Sequence, residues 1–215
     1  MTERISATLM KIVKNWLLDP KNITNFNADK SELELMILFW ILAAGKNGVT
    51  AAKCLNRLLI YWENEINSSL NLTPFEIINF IIKEHDLSLE MKRFGIGCYN
   101  YKSKAFKELI SSNIDLKRCD VDDLERIAGI GNKTSRCFLL HSRPNQAYAG
   151  LDRHVLRYMR DLGYDVPDST PTGKKYKKIE QEFIKIANSL GKSPSELDLE
   201  VWNKYRNSQS EIGSI

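Results

Sequence analysis

The sequence predicts an all-α fold. Three observations carry that reading. In most segments the apolar residues recur at helical spacing. Alternating β-branched runs, the mark of half-buried strands, are missing. The segments are also punctuated by capping residues, prolines and glycines of the kind that start and stop helices. A chain of 215 residues can bury a sizeable core, as one large or two intimate subdomains. Its apolar and charged fractions, 43% and 27%, are those of an ordinary soluble protein.

Taken in order, Ile5 to Leu18 reads as a first amphipathic helix, stopped by Asp19-Pro20, and Lys21 to Lys30 as a polar, Asn-rich connector. Ser31 with Glu34 forms a capping-box signature for a helix through Ala44. That helix is apolar all round from Leu35 to Leu42, which makes it central and buried. Gly45-Lys46-Asn47-Gly48 is a loop, and Thr50 caps the next helix, through about Trp62. Thr73-Pro74-Phe75-Glu76 opens a helix to about Lys83, with Pro at the first position and Glu at the third. Ser88 to Phe94 is a short helix or turn. Gly95-Ile96-Gly97 is a hinge before a helix from Asn100 to Ser111. Lys102, Lys104 and Lys107 lie on or near one side of that helix, as a solvated face or as a nucleic-acid-facing edge.

The informative stretch is Asp120 to Arg160, read as helix, tight hairpin, second helix, loop and third helix. Asp120 caps the first, with Asp122 and Asp123 in its first turn and Leu124 and Ile127 on its apolar side. Gly129 and Gly131 bracket Ile130, a pattern that permits positive φ and close approach of the backbone to another molecule. The second helix starts near Asn132 and carries Cys137, Phe138 and Leu140 inward. Its first amides lack intrahelical partners and favour an anion, most commonly a nucleic-acid phosphate. Lys133 sits in that first turn, where a cation does not help the helix. It is either a solvated lysine touching a phosphate or, if uncharged part of the time, a nucleophile. After a loop from Ser142 to Gly150, Asp152 opens a helix that Gly163 closes. Taken alone, Asp152 is an N-cap. Beyond the breakers Pro167 to Gly173, Tyr176 to Ser189 is amphipathic. Ser193-Pro194-Ser195-Glu196 starts a last helix through Tyr205, and Asn207 to Ile215 is a frayed tail.

Net charge is +4, too mild to imply nucleic acid by itself, but basic residues gather in Lys102 to Lys107, Lys133 to Arg143, Arg153 to Arg160 and Lys174 to Lys178. Leu33 to Ala44 is too short to span a membrane, and no signal peptide is visible. Cys54, Cys98, Cys119 and Cys137 have neither metal nor disulfide spacing and read as reduced thiols in the cytosol. His154 reads as packing beside Asp152; His85 and His141 read as surface residues. A monomer is expected.

The glycine hairpin with Lys133 just after it, followed by Asp152, resembles the helix-hairpin-helix (HhH-GPD) base-excision DNA glycosylases. Gly129-Ile130-Gly131-Asn132-Lys133-Thr134 looks like their hairpin with its catalytic lysine, and Asp152 stands where their catalytic aspartate stands. Gly97 to Ala105 resembles a segment of the endonuclease III branch. Leu151 to Tyr158 and Ser195 to Trp202 are closer to the small archaeal-type 8-oxoguanine DNA glycosylases. The resemblance covers roughly residues 33 to 205. It implies a two-subdomain helical fold with the active site in a cleft between subdomains. One subdomain would be mainly 31–118, followed by the hairpin and aspartate helix in 119–164 and by C-terminal helices packing back in 165–205.

It also implies a bifunctional DNA glycosylase/AP lyase that removes an oxidised base, 8-oxoguanine preferred. An endonuclease III-like enzyme for oxidised pyrimidines and a non-catalytic DNA-binding module are the alternatives. Lys133 and Asp152 would be catalytic. Gly129, Gly131, Asn132, Thr134, Lys102 and Lys104 would face double-stranded DNA. Lys46 or Asn47 would fill the gap left by an extruded base, with a plain glycine turn as the alternative. Trp202 and Asp198, on one face of the last helix, would line the base pocket, with a core anchor as the alternative for Trp202. The resemblance implies a monovalent cation at the hairpin and no other cofactor. With no cysteine after Cys137, the C-terminal iron–sulfur cluster of many relatives is not expected. The expected location is the cytoplasm, with the nucleoid.

Overall fold

The structure, a computed structural model, describes residues 18–66 and 72–207. Of the expected first helix only Leu18 is described, and the tail past Asn207 lies outside the described residues. Among the described residues there are ten helices and no strand, so the fold is all-α. No helix among them is long and apolar enough to cross a membrane. The described chain divides into two compact units. One comprises 18–23, Ala28–Cys119 and Arg126–Gly129; the other comprises Thr24–Asn27, Asp120–Glu125 and 130–207.

The first unit is built on α1 (Lys30–Ala43), against which α2 (Gly48–Ile66), α3 (Pro74–Glu84) and α5 (Tyr99–Ser111) pack. Ile37, Leu38, Ile41 and Leu42 of α1 are at most 1% exposed, as an all-round apolar helix requires. Its cap is Asp29, two residues before the expected Ser31. Asp29 Oδ1 accepts from Glu32 N at 2.9 Å and Glu32 returns the bond to Asp29 N. Glu34 is instead buried, and its Oε2 accepts from Phe75 N at 2.9 Å in the first turn of α3. The carboxylate expected to close one capping box therefore reaches the start of another helix. Thr73 and Glu76 cap α3 reciprocally, as their spacing predicts. For α2 the cap is Asn47, whose Oδ1 accepts from Thr50 N at 3.1 Å. The helix consequently starts before Thr50. Asp86 caps α4 (Leu87–Arg93).

The second unit holds α6 (Val121–Glu125), the hairpin's return into α7 (Asn132–Ser142), α8 (Arg153–Asp161), α9 (Gly173–Ser189) and α10 (Pro194–Asn207). Leu151, Val155, Leu156 and Met159 close on Tyr176, Phe183, Leu197 and Val201 as one core. Helix α10 packs on α7, α8 and α9. Asp120 and Asp123 cap the start of α6 reciprocally: Asp120 Oδ1 accepts from Asp123 N at 2.8 Å and Asp123 Oδ2 accepts from Asp120 N at 3.1 Å.

Candidate active site

The hairpin forms where its glycines place it, but the two do different things. Gly129 has φ +95°, and a Cβ there would come 2.4 Å from the Ala105 Cβ, so both conformation and space demand glycine. Gly131 is extended (φ −100°, ψ −178°), not left-handed, and is the N-cap of α7. Nothing lies within 4 Å of where its Cβ would be. The expectation of positive φ holds at Gly129 alone, while Gly131 leaves the entry to α7 open.

A buried ionic network anchors that entry. Arg136 is 3% exposed; its Nε donates to Glu180 Oε1 at 2.8 Å and its NH1 donates to Glu125 Oε1. Glu125 also accepts from Asn132 Nδ2 and Ser135 Oγ, each at 2.8 Å. Burial pushes the Glu125 carboxyl up, but the bonds from Asn132, Ser135 and Arg136 outweigh it and hold it below the usual range. At Glu180 burial prevails over the same arginine, and its carboxyl lies above the usual range. Asn132 Oδ1 accepts from Gly173 N at 3.2 Å, so its amide side chain is tied at both ends. Thr134 is buried, which leaves its backbone rather than its hydroxyl at the helix entry.

The segment before α8 is pinned just as closely. Tyr176 Oη donates to Ala149 O at 2.6 Å and accepts from Leu151 N at 3.1 Å. Glu180 accepts from Ala149 N at 3.1 Å, and Thr170 Oγ1 donates to Leu151 O at 2.8 Å. A Cβ on Gly150 would stand 2.4 Å from Cys137 Sγ, so the loop lies directly on α7. These contacts present Asp152, whose Oδ1 accepts from His154 N at 2.8 Å and Val155 N at 3.0 Å.

Lys133 and Asp152 are both half-buried and belong to one charge cluster. Each acts electrostatically on Cys137, His154 and Asp198. Burial drives the Cys137 thiol far up and keeps it protonated, and it lowers His154, which stays neutral. Lys133 and Asp152 thus share Cys137, His154 and Asp198 as buried neighbours, the first two of them uncharged.

The other expected residues separate. Lys102 corrects its assignment to a DNA-facing edge: it is 3% exposed, and its Nζ donates to Leu42 O at 2.6 Å near the end of α1. A helix C-terminus attracts a cation, which accounts for the inward turn. Lys104 is exposed. Lys46 is exposed, with its Nζ 3.0 Å from where a Gly97 Cβ would be, and Asn47 is the cap of α2. Trp202 is half-buried. Asp198 is buried, with Oδ2 3.2 Å from His141 Nε2. That pairing overturns the surface placement of His141, which is 1% exposed. His85 is exposed and lies against Trp62 at 4.3 Å between ring centroids. Sequence reasoning missed Glu125, Arg136, Tyr176, Glu180 and Gly150. One signal was present: Arg136 stands one turn from the buried Leu140, and a charge on an apolar stripe requires a partner.

A family model described as 8-oxoguanine DNA glycosylase matches residues 21–192. A Sulfolobus acidocaldarius protein named 8-oxoguanine DNA glycosylase/AP lyase is 24% identical over 221 residues, spanning 96% of this chain and 95% of that one. The fold is shared with the 8-oxoguanine DNA glycosylase of Thermotoga maritima (TM-score 0.58, 23% identity, 93% of this chain and 91% of that one). It is shared also with the Methanocaldococcus jannaschii 8-oxoguanine glycosylase/lyase, solved with a 15mer DNA containing 8-oxoguanine (TM-score 0.54, 22% identity, 92% and 89%). Because the matched span runs through the hairpin, Lys133 and Asp152 and covers well over half of its length, this chain belongs to the 8-oxoguanine DNA glycosylase family.

Proposed function

We propose that this protein is a bifunctional glycosylase/AP lyase that removes 8-oxoguanine from double-stranded DNA. The observation that supports it is the family match over residues 21–192, which spans the open entry to α7, Lys133 and the Asp152 cap. A stacked base shields its glycosidic bond, so the nucleotide must leave the duplex before attack. The amides opening α7, left accessible by Gly131, grip a phosphate without reading sequence. Lys133 Nζ then attacks C1′ as the N-glycosidic bond breaks, and the departing base takes up a proton. Asp152 steadies the cationic sugar; both cap bonds go to its Oδ1, which leaves Oδ2 for that charge. The amine and the opened sugar form a Schiff base. Loss of a C2′ proton expels the 3′ phosphate and cuts the strand.

Lys104 contributes to backbone binding. Asn47 is committed to its cap, so Lys46 is the better candidate for the gap left by the extruded base. Trp202 stacks on the base. Carbonyl oxygens at the end of so short a helix as α6 lack intrahelical donors, and such hard ligands suit a monovalent cation. Carbonyl oxygens of the hairpin would hold it, and its positive charge would favour a phosphate. An enzyme of this kind works where the genome is, in the cytoplasm.

Borohydride trapping on a duplex carrying 8-oxoguanine tests the proposal. A covalent adduct that Lys133→Gln abolishes is expected. An adduct that persists in Lys133→Gln assigns the wrong nucleophile, and trapping only on oxidised pyrimidines assigns the wrong base. Tight binding without cleavage of any lesion or abasic site would leave only a DNA-binding module.

A further inference from the structure

Lys133 and Asp152 are not the only charges gathered in the second unit. Asp198, on the inward side of α10, has its Oδ2 3.2 Å from His141 Nε2. His141 Nδ1 in turn lies 2.8 Å from Thr24 Oγ1, and Asn25 N donates to His141 O at 2.9 Å. The other Asp198 oxygen, Oδ1, is 3.2 Å from where a Gly150 Cβ would stand. Gly150 O accepts from Asp152 N at 2.5 Å. Hydrogen bonds therefore run from Thr24 through His141 to Asp198, whose other oxygen lies beside Gly150 in the loop that presents Asp152. The titratable and charged groups facing Asp198 are Lys133, Cys137 and His141 on α7 and Asp152 ahead of α8.

We propose that Asp198 is a positioning residue of the Lys133–Asp152 site: held by His141 and Thr24, it seats the Gly150 loop that presents Asp152. The inference rests on the function proposed above. Burial raises the Asp198 carboxyl, so its charge is present only above the ordinary carboxylate range. Once ionised, it bonds His141 more strongly and fixes the loop that presents Asp152, so trapping follows its ionisation. A buried carboxylate with a merely structural role would leave that pH dependence untouched.

The test is single-turnover borohydride trapping on an abasic-site duplex between about pH 5 and 9, a span that begins above the ordinary carboxylate range. Wild type, Asp198→Asn and Thr24→Val are compared, with thermal midpoints for each. Asp198→Asn keeps the shape and removes the charge; its trapping is expected to lose the pH dependence that follows Asp198 ionisation and to reach a lower plateau. Thr24→Val, a mild change at a half-buried site, is expected to slow trapping about threefold, the loss of one hydrogen bond's worth of positioning. A pH profile for folded Asp198→Asn that superimposes on wild type overturns the proposal. If Asp198→Asn does not fold, Thr24→Val decides, and an unchanged rate overturns it. Wild type that never traps would end the glycosylase/lyase reading, and this inference with it.

Discussion

Removing Arg136 exposes how the hairpin is held. Arg136→Met keeps most of the side-chain volume and deletes the one cation shared by Glu125 and Glu180. The two carboxylates do not suffer equally. The Glu125 side chain is 26% exposed and keeps its bonds from Asn132 and Ser135. The Glu180 side chain is 6% exposed and, among the described residues, keeps one bond, from Ala149 N at 3.1 Å. Most of the cost therefore falls on Glu180. Breaking a buried pair from one side costs about 3–5 kcal/mol, which corresponds to a melting point lower by about 10 °C in a chain of this size. The pH dependence has a definite sign. Burial already holds the Glu180 carboxyl above its unfolded value of 4.5, and loss of Arg136 raises it further. For a carboxyl raised in the native state, stability is full below the unfolded value and is lost as pH rises through the folded one. The deficit of Arg136→Met is therefore largest at neutral pH and shrinks toward about pH 5. Urea unfolding followed by far-ultraviolet circular dichroism at both pH values measures it. A deficit below about 1 kcal/mol at neutral pH, or one equal at the two pH values, refutes the reasoning. The double variant Arg136→Met/Glu180→Gln should recover most of the loss.

Two further predictions concern glycine and lysine packing. Gly150→Ala drives a Cβ to 2.4 Å from Cys137 Sγ, which is buried and cannot yield. It should destabilise by about 1–3 kcal/mol in urea unfolding and slow base excision by displacing Asp152; full stability and full activity together would contradict the contact. Lys102→Met should stay within about 1 kcal/mol of wild type at neutral pH, because the lost bond to Leu42 O is offset by the relief of burying an ammonium group. Burial lowers the Lys102 ammonium, so wild type gains stability as pH rises toward the unfolded value of 10.5, and the variant should lack that gain. The salt dependence of DNA binding should be unchanged in Lys102→Met. A slope reduced by about one unit would return Lys102 to the phosphate contacts.

What the sequence made legible is what depends on neighbours along the chain. Asp120, Thr73 and Asp152 cap because a short acceptor precedes the helix it serves, and Gly129 turns because no other residue tolerates its φ. The errors share one cause. Glu34 was assigned to its own helix but bonds Phe75. Lys102 reads as a solvated face or a DNA-facing edge but bonds Leu42, and His141 reads as a surface residue but lies between Thr24 and Asp198. Each partner is distant in sequence, and a polar residue's local pattern is the same whether it faces water or a buried acceptor. Composition cannot distinguish the two until the fold brings the acceptor near.

Asp152 shows why two readings of one residue need not compete. A capping carboxylate is held in a single rotamer by the amides it accepts from, and a catalytic carboxylate needs that fixed rotamer. Both cap bonds converge on Oδ1, so the cap orients the group without exhausting it. Two substitutions separate the roles. Asp152→Asn retains an acceptor of nearly equal capping strength and removes the charge. Asp152→Ala removes both, at about 1 kcal/mol of stability. Excision of 8-oxoguanine should fall at least about a hundredfold in both, the scale of losing a charge aimed at a developing cation, while only Asp152→Ala melts lower. If Asp152→Asn excises as well as wild type, Asp152 is a cap and nothing more, and the charge that steadies the sugar must come from elsewhere in the second unit.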